Sequence, residues 1–377
     1  SESDDSASES DLDFDFEARV HWCGVYKAKI PLEKLIKRVD DEDVSSLVNY
    51  RCPACSKCIK CLQSNRTKTM SLQEQMEQDV IEKSVHIDLE NSKVWVDYPF
   101  LKEPVKFLSG KHNGRNNNKG QALSAYRAQC NKTDRIKTGI RAAHNDLVSK
   151  GFMVKYQDLD QNQKDVIDNA GFQHYDPWSS VEKDSVSTPV RLVVDPSRTG
   201  LNLILSKGEN NMARIHEVLI RNRCKKHIFT SDISKLYNQL HLTDAALPYS
   251  LFLYSDKLDP NSPPETFVLV RAWYGVRSTG NQSGAALDNL AEMMKDEFRF
   301  GSEVIQNDRY VDDLLSGSNE SNVREAQIVQ AKELLGRGGF NLKFVAKSGE
   351  NPPPEASSDG ESLKILGYKW FSNADML

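Results

Sequence analysis

The order of segments between residues 188 and 371 predicts an α+β fold. Short apolar runs of strand type, at 188–195, 226–232 and 340–345, alternate with helical patterns around Ala285–Met294 and Ile328–Leu335. Turn-rich punctuation between several of the runs marks hairpins. A chain of 377 residues with 38% hydrophobic content can hold more than one core. No apolar run approaches the roughly 18 residues that a membrane span needs.

The net charge of −5 is unevenly spread. Eight acids and no base fall in residues 1–17, and the remaining 360 residues carry +3. Residues 1–19 therefore read as a disordered acidic tail. The stretch 101–155 holds twelve Lys or Arg against Glu103, Asp134 and Asp146. Such a stretch suits a nucleic-acid backbone, or equally a solvated helix face. The chain opens on Ser1, as a piece cut from a longer protein would, and shows no signal-peptide pattern.

Residues 20–70 form a linker around Cys52, Cys55, Cys58 and Cys61, four thiols at a strict period of three. Overlapping Cys-x-x-Cys units suit a tetrahedral zinc ion, ahead of an iron–sulfur cluster. A thiol-rich surface loop is the plain alternative. Residues 71–155 lead into the main domain. Ser71 and Glu74 form a capping-box pattern for a helix to about Lys83, and 85–99 alternates around Asn91-Ser92 as a hairpin. Residues 118–150 look helical as far as Gly151, and 156–187 read as polar loop with an anchor at Pro177-Trp178.

From 156 to 377 the chemistry-bearing residues cluster. Arg191 lies in the strand 188–195, and Asp232 ends the strand 226–232. An acid at a strand end is a usual place for chemistry in mixed folds, and a helix cap would look the same. Residues 274–284 form a glycine- and amide-rich loop before a helix. In Arg309-Tyr310-Val311-Asp312-Asp313-Leu314-Leu315, two adjacent acids fall at the expected tip of a hairpin. They repel unless a cation lies between them, which suits a metal site; an ordinary solvated turn has the same look. Asn322 and Glu325 would cap the next helix, a strand follows at 340–345, and 363–371 closes as a hairpin.

Ser231-Asp232-Ile233-Ser234-Lys235-Leu236-Tyr237, Tyr274-Gly275-Val276-Arg277-Ser278-Thr279-Gly280, Tyr310-Val311-Asp312-Asp313 and Leu366-Gly367-Tyr368 resemble the successive palm motifs of a reverse transcriptase. Thr188-Pro189-Val190-Arg191-Leu192-Val193-Val194-Asp195 is similar to a strand of its fingers. With the cysteine run and 71–97, the resemblance is to BEL/Pao-type LTR retrotransposon polyproteins, over roughly residues 20–371 and thinnest across 101–155. It implies a right-hand polymerase fold, with fingers, an antiparallel palm sheet and an incomplete thumb, preceded by the small cysteine-rich segment. It implies RNA-directed DNA polymerase activity by two-metal nucleotidyl transfer, from dNTP to a primer 3′-hydroxyl. Asp232, Asp312 and Asp313 would hold two Mg²⁺ ions.

By the same resemblance Arg191 would meet the triphosphate, and Tyr237 would stand under the sugar and exclude a 2′-hydroxyl. Tyr274 would line the nucleotide, and Lys343 or Lys347 would protonate the leaving group. The implied partners are a template-primer of RNA or DNA, dNTPs and the rest of the polyprotein, in a cytoplasmic virus-like particle and with no membrane. Two departures touch the glycine loop. Tyr274-Gly275 stands where retroviral enzymes carry Gln-Gly, and Gly280 where the family usually has Pro. Two other readings share these residues: an inactive nucleic-acid-binding remnant and an RNA-dependent RNA polymerase.

Overall fold

The computed structural model describes residues 72–377, except 183–188, 210–213 and 358. The chain divides into two units, Ser1–Gln75 and Met76–Leu377, and the described residues belong almost wholly to the second. The predicted acidic tail and the cysteines 52, 55, 58 and 61 lie outside the described residues.

Helix Leu72–Lys83 leads into β1 (Val85–Asp88) and β2 (Lys93–Val96), which pair antiparallel as the expected hairpin, with Ser92 at φ 50 in its turn. A helix at Pro104–Lys111 follows, started by Pro104 and capped by the Glu103 carboxylate. The single helical stretch expected at 118–150 is two helices, Lys119–Cys130 and Asp134–Ser149. The break falls at the polar run Asn131-Lys132-Thr133, where Thr133 turns extended. β3 (Met153–Lys155) comes next. The stretch expected as loop contains helix Gln161–Asp168 and β4 (Trp178–Glu182). That helix carries only Val166 and Ile167 as apolar residues, so it shows no apolar stripe in the sequence; the Asp160 carboxylate caps it at 2.8 Å from the Gln163 amide.

β5 (Val190–Val194) and β6 (His227–Ile233) occupy the expected strand runs, and β7 (Leu240–Leu242), β8 (Leu251–Tyr254) and β9 (Glu265–Leu269) follow. Helix Ile215–Arg223 precedes β6. Helix Thr279–Met293 begins inside the residues expected as loop, because Ser278 and Thr279 are buried and start the coil early. Helix Arg299–Asn307 leads to β10 (Arg309–Tyr310) and β11 (Asp313–Ser318). Helix Ser321–Arg337 starts at Ser321, with Glu320 rather than Asn322 at its cap and no side-chain capping bond. β12 (Leu342–Lys347), β13 (Leu363–Ile365) and β14 (Tyr368–Trp370) complete the strands, the last two as the expected hairpin about Leu366 and Gly367, both at positive φ.

The fold is mixed α+β with small sheets, antiparallel except for the β2–β7 pair. Its central sheet has the order β10-β11-β6-β12. Phe229, Ile233 and Leu314 face a core shared with Leu287, Leu290, Leu334 and Leu335 of two long helices. The opposite face sets Ile228, Leu315 and Ala346 against Val218, Leu219 and Trp370. Both faces are therefore sealed over most of the sheet. A further core joins the helices Lys119–Cys130 and Asp134–Ser149 to β4, β5, β8 and β9. Among the described residues no helix is long and apolar enough to cross a membrane.

Gly317 lets β11 lie close on β6, since a Cβ there would come within 2.4 Å of the His227 carbonyl oxygen. Gly317→Ala should destabilise the protein by about 2 kcal/mol through backbone displacement. Thermal unfolding is the check, and an unchanged melting temperature would refute the close approach.

Candidate active site

β6 and β11 run antiparallel with Asp313 directly opposite Asp232, Leu314 opposite Ser231 and Leu315 opposite Thr230. By the two-residue period of strands, Asp232 and Asp313 share the face that carries Ile228 and Leu315 lower down. That face is apolar and sealed at one end and acidic at the other. Opposed residues on one sheet face hold their Cβ atoms about 5 Å apart, so like charges there repel.

The tip of the β10–β11 hairpin is Val311-Asp312, because Tyr310 already pairs with Asp313 across the turn. The expectation that both acids form the tip is corrected accordingly: Asp312 is in the turn and Asp313 is in the strand. The Ile233 amide donates to the Asp312 carbonyl at 2.8 Å, which pins the turn beside the end of β6. Val311 takes φ 56, a left-handed conformation that costs a β-branched residue on the order of 1–2 kcal/mol. At the hairpin's base the Leu315 amide donates to the Asp308 carbonyl at 2.9 Å, and the Ser316 hydroxyl to the Asp308 carboxylate at 2.6 Å. Arg309 pairs with Asp288 at 2.9 Å.

The electrostatics record the crowding. Burial, then Asp312 and Asp232, push the Asp313 carboxyl up to about 7. Asp232 is raised by burial and then by Asp312, and Asp312 is raised by burial, while Lys343 opposes the rise in both. The exposed Lys343 falls where β12 breaks register, between Leu342 and Val345. Lys347 is occupied elsewhere, paired with Glu325 at 2.8 Å. Of the two lysines considered for the leaving group, only Lys343 neighbours the acids.

The aromatic residues come from other elements. Lys235, at φ 49, turns the chain from β6 into the short helix Leu236–Gln239, and this carries Tyr237. Tyr274 stands against it with ring centroids 4.8 Å apart. The Tyr274 hydroxyl is pushed up to about 12, by burial first and then by Asp312 and Tyr237; Arg191 opposes, and Asp232 adds a further rise. One neighbourhood therefore holds Tyr274, Tyr237, Asp312, Asp232 and the exposed Arg191 of β5. Gly275, at φ 105, makes this possible, since a Cβ there would lie 2.5 Å from the Val194 carbonyl oxygen. Asn202 clasps the same loop, donating to the Gly275 carbonyl at 2.9 Å and accepting from the Arg277 amide at 2.9 Å. Sequence reading missed Asn202, and no local pattern marks an amide that acts across more than seventy residues.

Among the described residues, no three His, Cys, Asp or Glu side chains are gathered tightly enough to ligate one ion as they stand. The donor set still fits a hard divalent cation: three neighbouring carboxylates, each with its proton affinity raised. A cation would relieve the repulsion that raises them. No protein-family model matches the chain, and no curated protein matches it.

A raised carboxyl pKa means that the folded state holds its proton more tightly than the unfolded chain. Ionising Asp313 therefore erodes stability as pH climbs from the ordinary carboxylate range through about 7. Without divalent ions, Asp313→Asn should be more stable than the parent at pH 8 by on the order of 1 kcal/mol, with the gap narrowing toward pH 4. Melting curves across that range test this, and a variant no more stable at pH 8 would contradict the repulsion.

Proposed function

We propose that this chain is the fingers and palm of an RNA-directed DNA polymerase, a reverse transcriptase of the LTR retrotransposon kind. The observation that carries the reading is the register of β6 on β11, with Asp232 opposite Asp313 and Asp312 in the adjoining turn. The order of the motifs along the sequence supports it. On this reading the central sheet β10-β11-β6-β12 is the palm, and the layer around β4, β5 and the helices Lys119–Cys130 and Asp134–Ser149 belongs to the fingers.

Asp232 and Asp312 would hold two Mg²⁺ ions with Asp313 beside them; such ions activate the primer 3′-hydroxyl and neutralise the departing pyrophosphate. Arg191 would grip the triphosphate. Tyr237, braced by Tyr274, would fill the space of a ribose 2′-hydroxyl, so deoxynucleotides are preferred. Lys343 is the better placed of the two lysines to give a proton to the pyrophosphate. A second reading, nucleic-acid binding without turnover, draws on Tyr274 standing where retroviral enzymes carry Gln and on Gly280 standing where the family usually has Pro.

Primer extension on a primed RNA template should require Mg²⁺ and dNTPs, and Asp312→Asn should lower the rate about a thousandfold. A variant as active as the parent would remove Asp312 from the site. A parent protein that binds template-primer but never extends it favours the second reading. Tyr237→Ala should raise ribonucleotide use relative to deoxynucleotide use by about tenfold or more, read by competition between the two; an unchanged ratio argues for an RNA polymerase instead.

A further inference from the structure

Away from the carboxylates lies a cavity of about 350 Å³, lined by the end of helix Pro104–Lys111, the start of helix Lys119–Cys130 and the turn after β5. Lys111, Arg115 and Arg198 line it together with His112 and Gln121, and no acid does. All three cations are exposed, and among the described residues none of them forms an ion pair. Arg198 meets Asp195 only through its main-chain amide.

The arrangement is built into the fold. Gly200, at φ 94, lies under the Lys111 stem, where a Cβ would come within 2.3 Å of its Cδ. His112 is fixed by a ring nitrogen 3.1 Å from the Thr199 carbonyl oxygen. Its imidazole is held below the ordinary range by burial first, and Lys111 and Arg115 add to the effect. The Asn118 side chain is spent on the Tyr175 main chain, at 2.7 and 2.8 Å, and gives helix Lys119–Cys130 no cap; the Lys119 amide donates instead to the Asn117 side-chain oxygen at 3.2 Å. Gly120 and Gln121 of that turn line the same cavity.

Three like charges converging without a counter-charge repel one another, and an anion with several oxygens relieves them at once. The charge also continues past a single anion. Gly120, Ser124 and Arg127 follow one another along one exposed helix face, and among the described residues Arg127 pairs with no acid.

We propose that this cavity holds a backbone phosphate of a polynucleotide strand, with Arg115 and Arg198 on its oxygens, Lys111 beside them and the strand continuing toward Arg127. The choice of a strand over a free phosphate rests partly on the polymerase reading; the anion site does not.

The test is fluorescence anisotropy of a labelled single-stranded oligonucleotide on the full chain at stepped salt concentrations. Arg115→Ala with Arg198→Ala should weaken binding about tenfold and flatten the salt dependence by about two ions released, while the double lysine replacement keeps both. Both side chains are exposed, so the variants should melt with the parent. Calorimetric titration with inorganic phosphate separates the two sources, and the proposal expects no saturable binding. Saturable phosphate binding that the alanine pair abolishes, with oligonucleotide affinity intact, overturns the strand in favour of a free anion. Unchanged oligonucleotide affinity and salt dependence overturn the site altogether. The assay needs no turnover, so failed primer extension by the parent sinks the polymerase reading and leaves this one standing.

Discussion

The pairing of β11 on β6 is the constraint on which the candidate site depends. It sets Asp313 opposite Asp232 and brings Asp312 alongside through the bond from the Ile233 amide. Two carboxylates on opposed strand residues, with Cβ atoms about 5 Å apart, repel one another, so the acids alone work against the pairing. The ladder holds because it is clamped on both faces. Phe229 and Leu314 are buried on one side, and Ile228 and Leu315 on the other. Each contributes roughly 1.5–3 kcal/mol of apolar burial, which together outweighs the repulsion.

Charge and strain meet at the same turn. Val311 occupies a left-handed conformation that its branched side chain disfavours, directly before the crowded acids. A sequence under selection for stability alone would place Gly or Asn there and separate the carboxylates. Strain and unrelieved repulsion in one partly buried turn are characteristic of sites kept for a ligand, here a hard cation in the proposed reading. Burial and two neighbouring acids raise the Asp313 carboxyl, although among the described residues no three such side chains are gathered tightly enough to ligate one ion.

The aromatic wall depends on a different kind of constraint. Tyr274 reaches Tyr237 only because Gly275 lets the loop lie on the β5 backbone and Asn202 holds it there. Arg191 enters the same neighbourhood from that strand. Three segments distant in sequence thus converge through one glycine and one amide, neither of which touches the carboxylates. The cationic cavity is built by the same economy, with Gly200 making room for Lys111.

By itself the sequence determined the alternation of strand and helix, the hairpins at β1–β2 and β13–β14, and the identity of the acids. Those features are written in local periods and turn residues, and short-range physics reads them directly. It did not disclose helix Gln161–Asp168, whose polar surface has no stripe, or the early start of helix Thr279–Met293, which burial of Thr279 decides. Only the tertiary structure decided that Val311-Asp312 forms the tip, that Lys343 and not Lys347 neighbours the acids, and that Arg115 and Arg198 share a cavity. Each of those outcomes turns on strand register or on packing between distant segments. Register moves a side chain from one face to the other with a single-residue slip, and no local pattern encodes which slip the core will accept.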